Sequence, residues 1–337
     1  MSTITGPRTE APAPPRERRM PAFAWVTAFV ALIGLLVLLY PSTAAWVSQY
    51  QQSQLLVDYG GEVRTLGPRG QTEALEAARS YNATLTGGAE VAAGERVPQA
   101  DGSSTPASFD YDELLRVDRT GLMARLKIPA IDVDLPIYHG TSDATLLRGV
   151  GHLEGTALPV GGVDTHSVLT AHRGLASADL FTHLDRVEVG DTFTIEVFGQ
   201  VLSYRVTETR VVEPDQTESL FPQAGRDLVT LVTCTPLGIN SHRILVTGER
   251  ITPTPAADVE NAGKAPEVPG FPWWAVGLGA GITVIGGYLW WTRRLVRTGP
   301  VAASPSQDPD VREGPPLPPS SGGWTRKGRI SGDDVVP

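Results

Sequence analysis

Cysteine is almost absent from this chain, since the 337 residues contain only one, Cys234. A single thiol cannot close an intramolecular disulfide, and no Cys/His spacing typical of a metal site accompanies it. No glycine-rich phosphate loop is present either. We therefore expect neither a metal nor an organic cofactor. Three roles for Cys234 remain open at this point: a nucleophile, a buried apolar filler, or a bridge between molecules.

Positive charge is also scarce. The chain carries 28 Lys and Arg against 37 Asp and Glu, which gives a net charge of −9. A nucleic-acid-binding protein normally carries a basic surface. The balance therefore argues against nucleic acid as a partner.

Two long hydrophobic runs stand out in an otherwise mixed sequence. Residues 22–40 carry no charge, and residues 271–291 have tryptophans at both ends, where interfacial aromatics belong. Arginines precede the first run and follow the second (Arg16, Arg18 and Arg19; Arg293, Arg294 and Arg297). This bias predicts a two-pass protein of the cell membrane, with cytoplasmic termini and residues 41–270 outside. Alternatively, the first run is a cleaved signal peptide, because small residues follow it at 42–44.

The composition divides the chain into eight parts. Helical spacing of Leu75, Ala78, Tyr81 and Leu85 predicts a stalk helix that packs on the main domain. In chain order we predict a disordered tail (1–20), a transmembrane helix (21–41), a helical stalk (42–86), a long loop (87–110), a β-rich domain (111–253), a linker (254–270), a second transmembrane helix (271–292) and a disordered tail (293–337).

Short strands joined by turns dominate the central part. Alternation of apolar and polar residues from Ile131 to Ile137 is typical of a half-buried strand. Residues 192–197 and 201–207 flank Phe198-Gly199-Gln200 and predict a hairpin. Further strands are expected at 228–233 and 244–249. The pattern predicts an all-β barrel or sandwich between residues 120 and 253.

Two of these strands end on reactive side chains. Cys234 closes the apolar run from Leu228, and His172 closes the run from Ser167. A thiolate is a strong nucleophile, and an imidazole nearby can take its proton and later protonate a leaving amine. Arg243 opens the next strand and could stabilise an oxyanion or hold a substrate carbonyl. We therefore take Cys234, His172 and Arg243 as the candidate catalytic residues.

The other histidines lie at turns or strand ends, where a structural or surface role is the simpler interpretation: His139, His152, His166 and His183. His242, beside Arg243, is either solvated or part of the cleft.

These segments resemble one enzyme family. TLVTC at 230–234 with Arg243, and THSVLTAHRG at 165–174, are similar to the two active-site strands of sortases, the cysteine transpeptidases of Gram-positive cell surfaces. The resemblance extends through 128–140, 149–156 and 161–181, and covers about residues 110–253. The TLxTC box and the paired membrane segments resemble class C, the pilin polymerases.

The resemblance implies an eight-stranded β-barrel with an N-terminal helical stalk and a lid loop, flanked by two transmembrane helices. It implies that Cys234 attacks the Thr–Gly bond of an LPxTG-like sorting signal on a pilin subunit and forms a thioester. His172 would protonate the leaving amine, and Arg243 would hold substrate and oxyanion. A lysine of the next pilin would then resolve the thioester into an isopeptide bond.

The lid departs from the class C pattern. Members of that class usually carry an Asp-Pro-aromatic motif there, and the loop at 87–109 has none, Asp101-Gly102 being the nearest acidic candidate. We expect a mobile, weakly held lid.

Other functions fit the sequence less well. A wall-anchoring sortase would use the same three residues with a peptidoglycan stem-peptide amine as acceptor. A passive surface protein would need an LPxTG-like motif before its last membrane segment, and residues 265–270 lack one. A papain-like protease would place its cysteine at a helix N-terminus, whereas Cys234 ends a predicted strand.

Overall fold

Eight strands close into one barrel in the computed structural model, which describes residues 22–85 and 109–298. The strands are β1 (Leu122–Ile128), β2 (Val133–His139), β3 (Val150–His152), β4 (Thr165–Thr170), β5 (Thr192–Val197), β6 (Gln200–Val212), β7 (Asp227–Thr235) and β8 (His242–Arg250). Their order around the barrel is β1-β2-β3-β4-β7-β8-β6-β5. The pairs β2–β3 and β4–β7 are parallel and the others antiparallel. The predicted barrel is confirmed, whereas the expected lid lies almost wholly outside the described residues.

Large apolar side chains from every part of the barrel fill its interior. Because successive side chains of a strand point to opposite faces, every second residue of each strand reaches this interior. The buried cluster includes Leu126, Ile137, Leu169, Phe193, Leu231 and Val246, all fully shielded from solvent.

Strand β2 differs from its predicted alternation. It begins at Val133, because Pro129–Ile131 form a 3-10 turn and Asp132 adopts a left-handed conformation with φ of 52°. Residues 135–138 are buried in succession. Helix α1 (Ala22–Thr65) packs against β2, so β2 is covered outside as well as inside.

The predicted hairpin joins β5 to β6 through two residues. Phe198 and Gly199 both have positive φ, 44° and 80°. Positive φ at both central residues is the geometry of a type I′ turn, whose twist matches that of the flanking strands.

Two helices form the N-terminal part. Helix α1 runs for 44 residues and continues through Pro41, so no break separates its apolar half from its polar half. It attaches to the barrel through residues spaced for one helix face: Gln52, Ser53, Leu56, Tyr59 and Val63. Helix α2 (Gly67–Thr84) buries Leu75, Ala78 and Tyr81, as its spacing predicts.

The segment after β8 is fastened along its length. It contains the short helix α4 (Ala256–Glu260) and leads to helix α5 (Trp273–Thr298). Arg125 Nη1 donates to the carbonyl of Lys264 at 2.6 Å, and the amide of Gly263 donates to Glu196 Oε2 at 3.1 Å. Farther on, Ser53 Oγ donates to the carbonyl of Val268, and Trp46 Nε1 donates to that of Gly270 at 2.8 Å. The segment expected as a linker is therefore bonded to both the barrel and α1; we call residues 261–270 the strap.

Helices α1 and α5 are both long and apolar enough to cross a membrane, and the barrel lies between them in sequence. They run antiparallel and in contact. A Cβ added to Gly281 would lie 2.3 Å from Leu35 Cδ2, and one added to Gly277 would lie 3.4 Å from Leu39 Cδ2. Gly277 and Gly281 form a G-x-x-x-G pair, which lets helix backbones approach closely in lipid.

We predict that Gly281→Leu separates the two helices, because the new side chain would overlap Leu35. Gly279→Leu is the matched control, since nothing lies within 4 Å of its added Cβ. In a Cys234→Ala background, cysteines introduced by Leu39→Cys and Gly277→Cys should be joined by a short bis-thiol reagent. Mass spectrometry should show that Gly281→Leu lowers the cross-linked fraction several-fold. Equal cross-linking in the Gly281→Leu and Gly279→Leu proteins would refute the contact.

A buried histidine joins β3 to the segment that precedes β1. His152 is fully shielded; its Nδ1 lies 2.8 Å from Tyr111 Oη and its Nε2 lies 2.9 Å from the carbonyl of Ala157. Burial lowers its pKa to about 4, chiefly because the imidazolium would lose its hydration. The neutral ring can donate from Nε2 to Ala157 and accept at Nδ1 from Tyr111.

We predict acid sensitivity from this site. A histidine whose pKa is lowered in the folded state stabilises the fold fully above about pH 6.5, and this contribution is lost as the pH falls toward 4. The expected loss is about 3 kcal/mol of unfolding free energy, taken from the shift of His152 alone. Denaturant unfolding of the detergent-solubilised chain at pH 7 and pH 4.5 should show a smaller loss in His152→Gln than in the parent. His183→Gln should behave like the parent, and an equal loss in all three proteins would contradict the prediction.

Candidate active site

Three adjacent strands bring the candidate residues together. The parallel ladder of β4 and β7 pairs Thr170 with Val232. The amide of Ala171 continues it by donating to the carbonyl of Val232 at 3.2 Å. His172 and Cys234 each lie two residues beyond the pair of Thr170 and Val232. They are therefore neighbours, because paired strands lie about 4.8 Å apart. On the other flank of β7, Cys234 pairs directly with Arg243 of β8.

The side chains of Cys234 and Arg243 belong to the outer face of the barrel wall. Leu231 and Val246 are in the interior cluster, whereas Val232 and Leu245 belong to a second cluster with Val168 on the opposite face. By the period of two, Cys234 shares the face of Val232 and Arg243 that of Leu245, and His172 follows the end of β4 next to them. The site therefore lies on the outside of the barrel, at the carboxyl ends of β4 and β7.

The segment between β6 and β7 borders the site. Its Leu220 joins the outer cluster with Val232 and Leu245. Only a small cavity of about 10 Å³ separates the segment from the sheet, and it is lined by Val212, Glu213, Pro214, Gln216, Thr217, Leu220, Val232, Arg243 and Leu245. The lining combines apolar side chains with Glu213, Gln216 and Arg243, so this segment packs on the sheet beside the guanidinium.

His166 holds this segment in place. Its Nδ1 lies 3.1 Å from the carbonyl of Phe221, and its Nε2 lies 2.7 Å from Thr230 Oγ1. Burial lowers the pKa of His166, which favours the neutral ring that can donate to one partner and accept from the other.

Two influences act in opposite directions on the pKa of Cys234: burial of the thiol and the charge of the neighbouring Arg243. The side chain is 6% exposed. Burial raises the pKa of the Cys234 thiol, and the guanidinium of Arg243 lowers it in part. The thiol is therefore mostly protonated at neutral pH.

His172 is half-buried in the loop that follows β4. Burial lowers its pKa, and the carboxylate of Asp143 acts in the opposite direction. Asp143 starts the short helix α3 (Asp143–Leu146), whose N-cap Ser142 accepts a hydrogen bond from Thr145 N at 3.2 Å. Sequence analysis missed Asp143, because nothing in a four-residue helix far along the chain indicates that it faces His172.

Arg243 is held by the turn that precedes β8. It is 3% exposed, and its Nη1 donates to the carbonyls of Asn240 at 3.0 Å and His242 at 3.1 Å. A guanidinium fixed in this way keeps its planar fork in one orientation beside the thiol. His242 itself lies opposite Thr235, and its Nδ1 is 2.8 Å from Ser241 Oγ.

The other histidines and the larger cavity do not combine a thiol, an imidazole and a guanidinium. His139 is bonded through both ring nitrogens to backbone carbonyls of Gly121 and Leu114, so it, like His152 and His166, has structural contacts. A larger cavity of about 510 Å³ between α1, the β5–β6 hairpin and the strap contains no cysteine or histidine in its lining. Among the residues that the structure describes, no group of three His, Cys, Asp or Glu side chains could hold a metal ion.

Comparison with known proteins identifies the same region. Residues 126–251 match the model of the Sortase domain. Sortase D of Bacillus subtilis is 29% identical over 130 residues, and Sortase SrtE1 of Streptomyces coelicolor is 28% identical over 170 residues. These matches span 38% and 46% of this chain, and 63% and 46% of the two relatives.

Solved structures match over nearly their whole length. The crystal structure of Streptococcus pneumoniae Sortase C is 39% identical with a TM-score of 0.52, and covers 60% of this chain and 98% of its own. That of sortase C1 from Streptococcus agalactiae is 38% identical with a TM-score of 0.53, and covers 60% of this chain and 100% of its own. With the barrel topology and the thiol, imidazole and guanidinium at adjoining strand ends, these matches mean that the chain belongs to the sortase family of cysteine transpeptidases.

Proposed function

We propose that this chain is a class C sortase, which joins pilin subunits at the outer face of a cell membrane. The observation that carries the proposal is the placement of His172 just after β4, Cys234 near the end of β7 and Arg243 near the start of β8, on three adjacent strands. The class is supported by the identity of 38–39% to two streptococcal C-type sortases over almost their whole solved length. One of these two, the Streptococcus pneumoniae enzyme, has pilin substrates.

The chemistry begins with transfer of the Cys234 proton to His172. The thiolate attacks the carbonyl carbon of the threonine in an LPxTG-like signal, and Arg243 stabilises the oxyanion. As the C–N bond to glycine breaks, His172 returns the proton to the leaving amine, and a thioester remains on Cys234. The lysine amine of a second pilin attacks this thioester and gives up a proton to His172. The C–S bond breaks, the isopeptide bond forms, and the sulfur regains its proton.

Membrane attachment suits this reaction. Helices α1 and α5 each have the length and hydropathy of a membrane span. The arginines before the first and after the second favour cytoplasmic termini by the positive-inside rule, with the barrel outside. A wall-anchoring sortase would share every step up to the thioester, so the acceptor amine distinguishes the two functions.

We predict that the two charged neighbours shift the protonation equilibria of the site in opposite directions. Arg243→Gln removes the cation that lowers the Cys234 pKa, so the midpoint of thiol alkylation against pH should move upward. Arg243→Lys keeps the charge and should leave that midpoint near the parent value, yet lower kcat by about 10-fold or more, because an ammonium cannot reproduce the fork.

The same logic applies to the imidazole. Asp143→Asn removes the carboxylate that raises the His172 pKa, so the acidic limb of kcat/KM should move to lower pH. Asp179→Asn provides a carboxylate control outside the site, since Asp179 bonds to Gln49 of α1. An unmoved limb in Asp143→Asn, or an unmoved midpoint in Arg243→Gln, would contradict the assigned electrostatics.

A competition experiment tests the function itself. The full chain in nanodiscs is mixed with an LPxTG peptide and two acceptors, a lysine-bearing pilin domain and a stem-peptide amine, and products are identified by intact mass. We expect a thioester on Cys234 that resolves onto the pilin lysine, and no adduct in Cys234→Ala. Resolution onto the stem peptide would identify a wall-anchoring enzyme, and the absence of any thioester would refute the transpeptidase assignment for this signal.

A further inference from the structure

Arg173 directly follows His172 and reaches the residue that directly follows Cys234. Its Nη1 donates to Thr235 Oγ1 at 2.7 Å. Its Nε donates to the carbonyl of Thr182 at 3.1 Å, and its Nη2 forms an ion pair with Asp185 Oδ2 at 2.9 Å. The Arg173 side chain is only 9% exposed. One guanidinium therefore joins the loop that carries the imidazole to the strand end that carries the thiol.

From this geometry we infer that Arg173 is a positioning residue, which sets the placement of His172 relative to Cys234 through Thr235. The inference rests on the proposed function for the roles of these two side chains. A planar guanidinium with donors on three nitrogens can reach a carbonyl, a hydroxyl and a carboxylate at once, whereas a lysine offers a single point of attachment.

The neighbouring contacts show why the hydrogen bond from Arg173 to Thr235 matters. The β4–β7 ladder ends at Thr170 and Val232, before the two reactive residues. Beyond it, Thr233 Oγ1 still donates to the carbonyl of Ala171 at 2.8 Å. Two residues farther along each segment, Arg173 donates to Thr235. The two hydrogen bonds thus bracket His172 and Cys234.

The loop after His172 is shaped to present Arg173. The amide of Phe181 donates to the carbonyl of His172 at 3.1 Å, and that of Gly174 donates to Thr182 Oγ1 at 3.1 Å. Gly174 has φ of 76°, and a Cβ there would lie 2.3 Å from Leu237 Cδ2. The turns after the histidine and after the cysteine are therefore packed together, with the guanidinium bonded to both.

The role of Arg173 is geometric and not electrostatic. Its positive charge is matched by Asp185. The charged group that shifts the pKa of Cys234 is Arg243, and the one that shifts the pKa of His172 is Asp143. Loss of Arg173 should therefore alter distance and orientation between the reacting groups, to which rates are sensitive by up to about 100-fold per ångström.

The test compares Arg173→Gln, Arg173→Lys, Thr235→Val and the double variant Arg173→Gln/Thr235→Val in the full chain in nanodiscs. Thr235→Val removes only the hydroxyl and keeps the shape of the side chain. Arg226→Gln is the matched control, since Arg226 also forms an ion pair, with Glu249 at 2.8 Å, at the opposite end of the β7–β8 pair. Rates with an LPxTG peptide are divided by the amount of enzyme that forms thioester, so that misfolded molecules do not count.

We expect kcat to fall about 10-fold in Thr235→Val and about 100-fold in Arg173→Gln, with KM within about twofold of the parent. The double variant should be no slower than Arg173→Gln, because both changes break the same link. Arg173→Lys should recover part of the loss, and Arg226→Gln should match the parent. Parent-like kcat in Arg173→Gln and Thr235→Val, or losses that multiply in the double variant, would overturn the inference.

Thiol alkylation separates failure of this inference from failure of the proposed function. If the parent forms no thioester with the peptide, the proposed function fails, yet iodoacetamide still reports on the thiol–imidazole pair. The alkylation rate at pH 7 should then fall at least about fivefold in Arg173→Gln and Thr235→Val but not in Arg226→Gln. Unchanged alkylation in both site variants would overturn the positioning role independently.

Discussion

The parallel pairing of β4 with β7 is the interaction on which the site depends. It joins two segments that are far apart in sequence, with the whole β5–β6 hairpin between them. Parallel strands need a long crossover, and here the crossover supplies two further strands of the same barrel. Because both strands run in the same direction, they end at the same edge, and residues at equal distances beyond the last pair become neighbours. The antiparallel β8 then adds Arg243 from the other side.

Burial determines the protonation states of the thiol and the imidazole that this geometry brings together. Both the thiol and the imidazole are shielded enough that burial is the main influence on each pKa, and in both cases it favours the neutral form. The opposite charges of Arg243 and Asp143 oppose this effect, each at the group next to it. The thiol and the imidazole are therefore both mostly uncharged at neutral pH.

The three candidate residues could be selected from the sequence because they lie at or next to strand ends. His172 and Cys234 each end an apolar run, and Arg243 begins the next one. These patterns are local, so they can be recognised without knowledge of the fold. Asp143 and Arg173 had no such signal. Asp143 depends on where a four-residue helix lies, and Arg173 looks like a surface charge until Thr182, Thr235 and Asp185 are known to surround it.

The fold shows the same division between local and long-range information. Strand positions, the β5–β6 hairpin and the buried face of α2 follow from local periodicity. The continuity of α1 through Pro41 does not, because a proline inside a helix costs stability that only packing elsewhere can offset. The strap is a similar case. Its prolines and polar residues are typical of a flexible linker, and only the partners on α1, β1 and β5 reveal that it is attached.

The unbroken helix α1 and the attached strap together fix the position of the barrel relative to the apolar half of α1. Between Tyr40, near the end of its apolar half, and Gln52, which is buried against the barrel, α1 extends about 18 Å as a rod, at about 1.5 Å per residue. A flexible linker of the same number of residues would let the barrel take many positions relative to the apolar helices. A rigid helix with a second point of attachment holds the barrel in one position. If α1 and α5 both cross a membrane, the barrel is therefore held at one distance from that membrane.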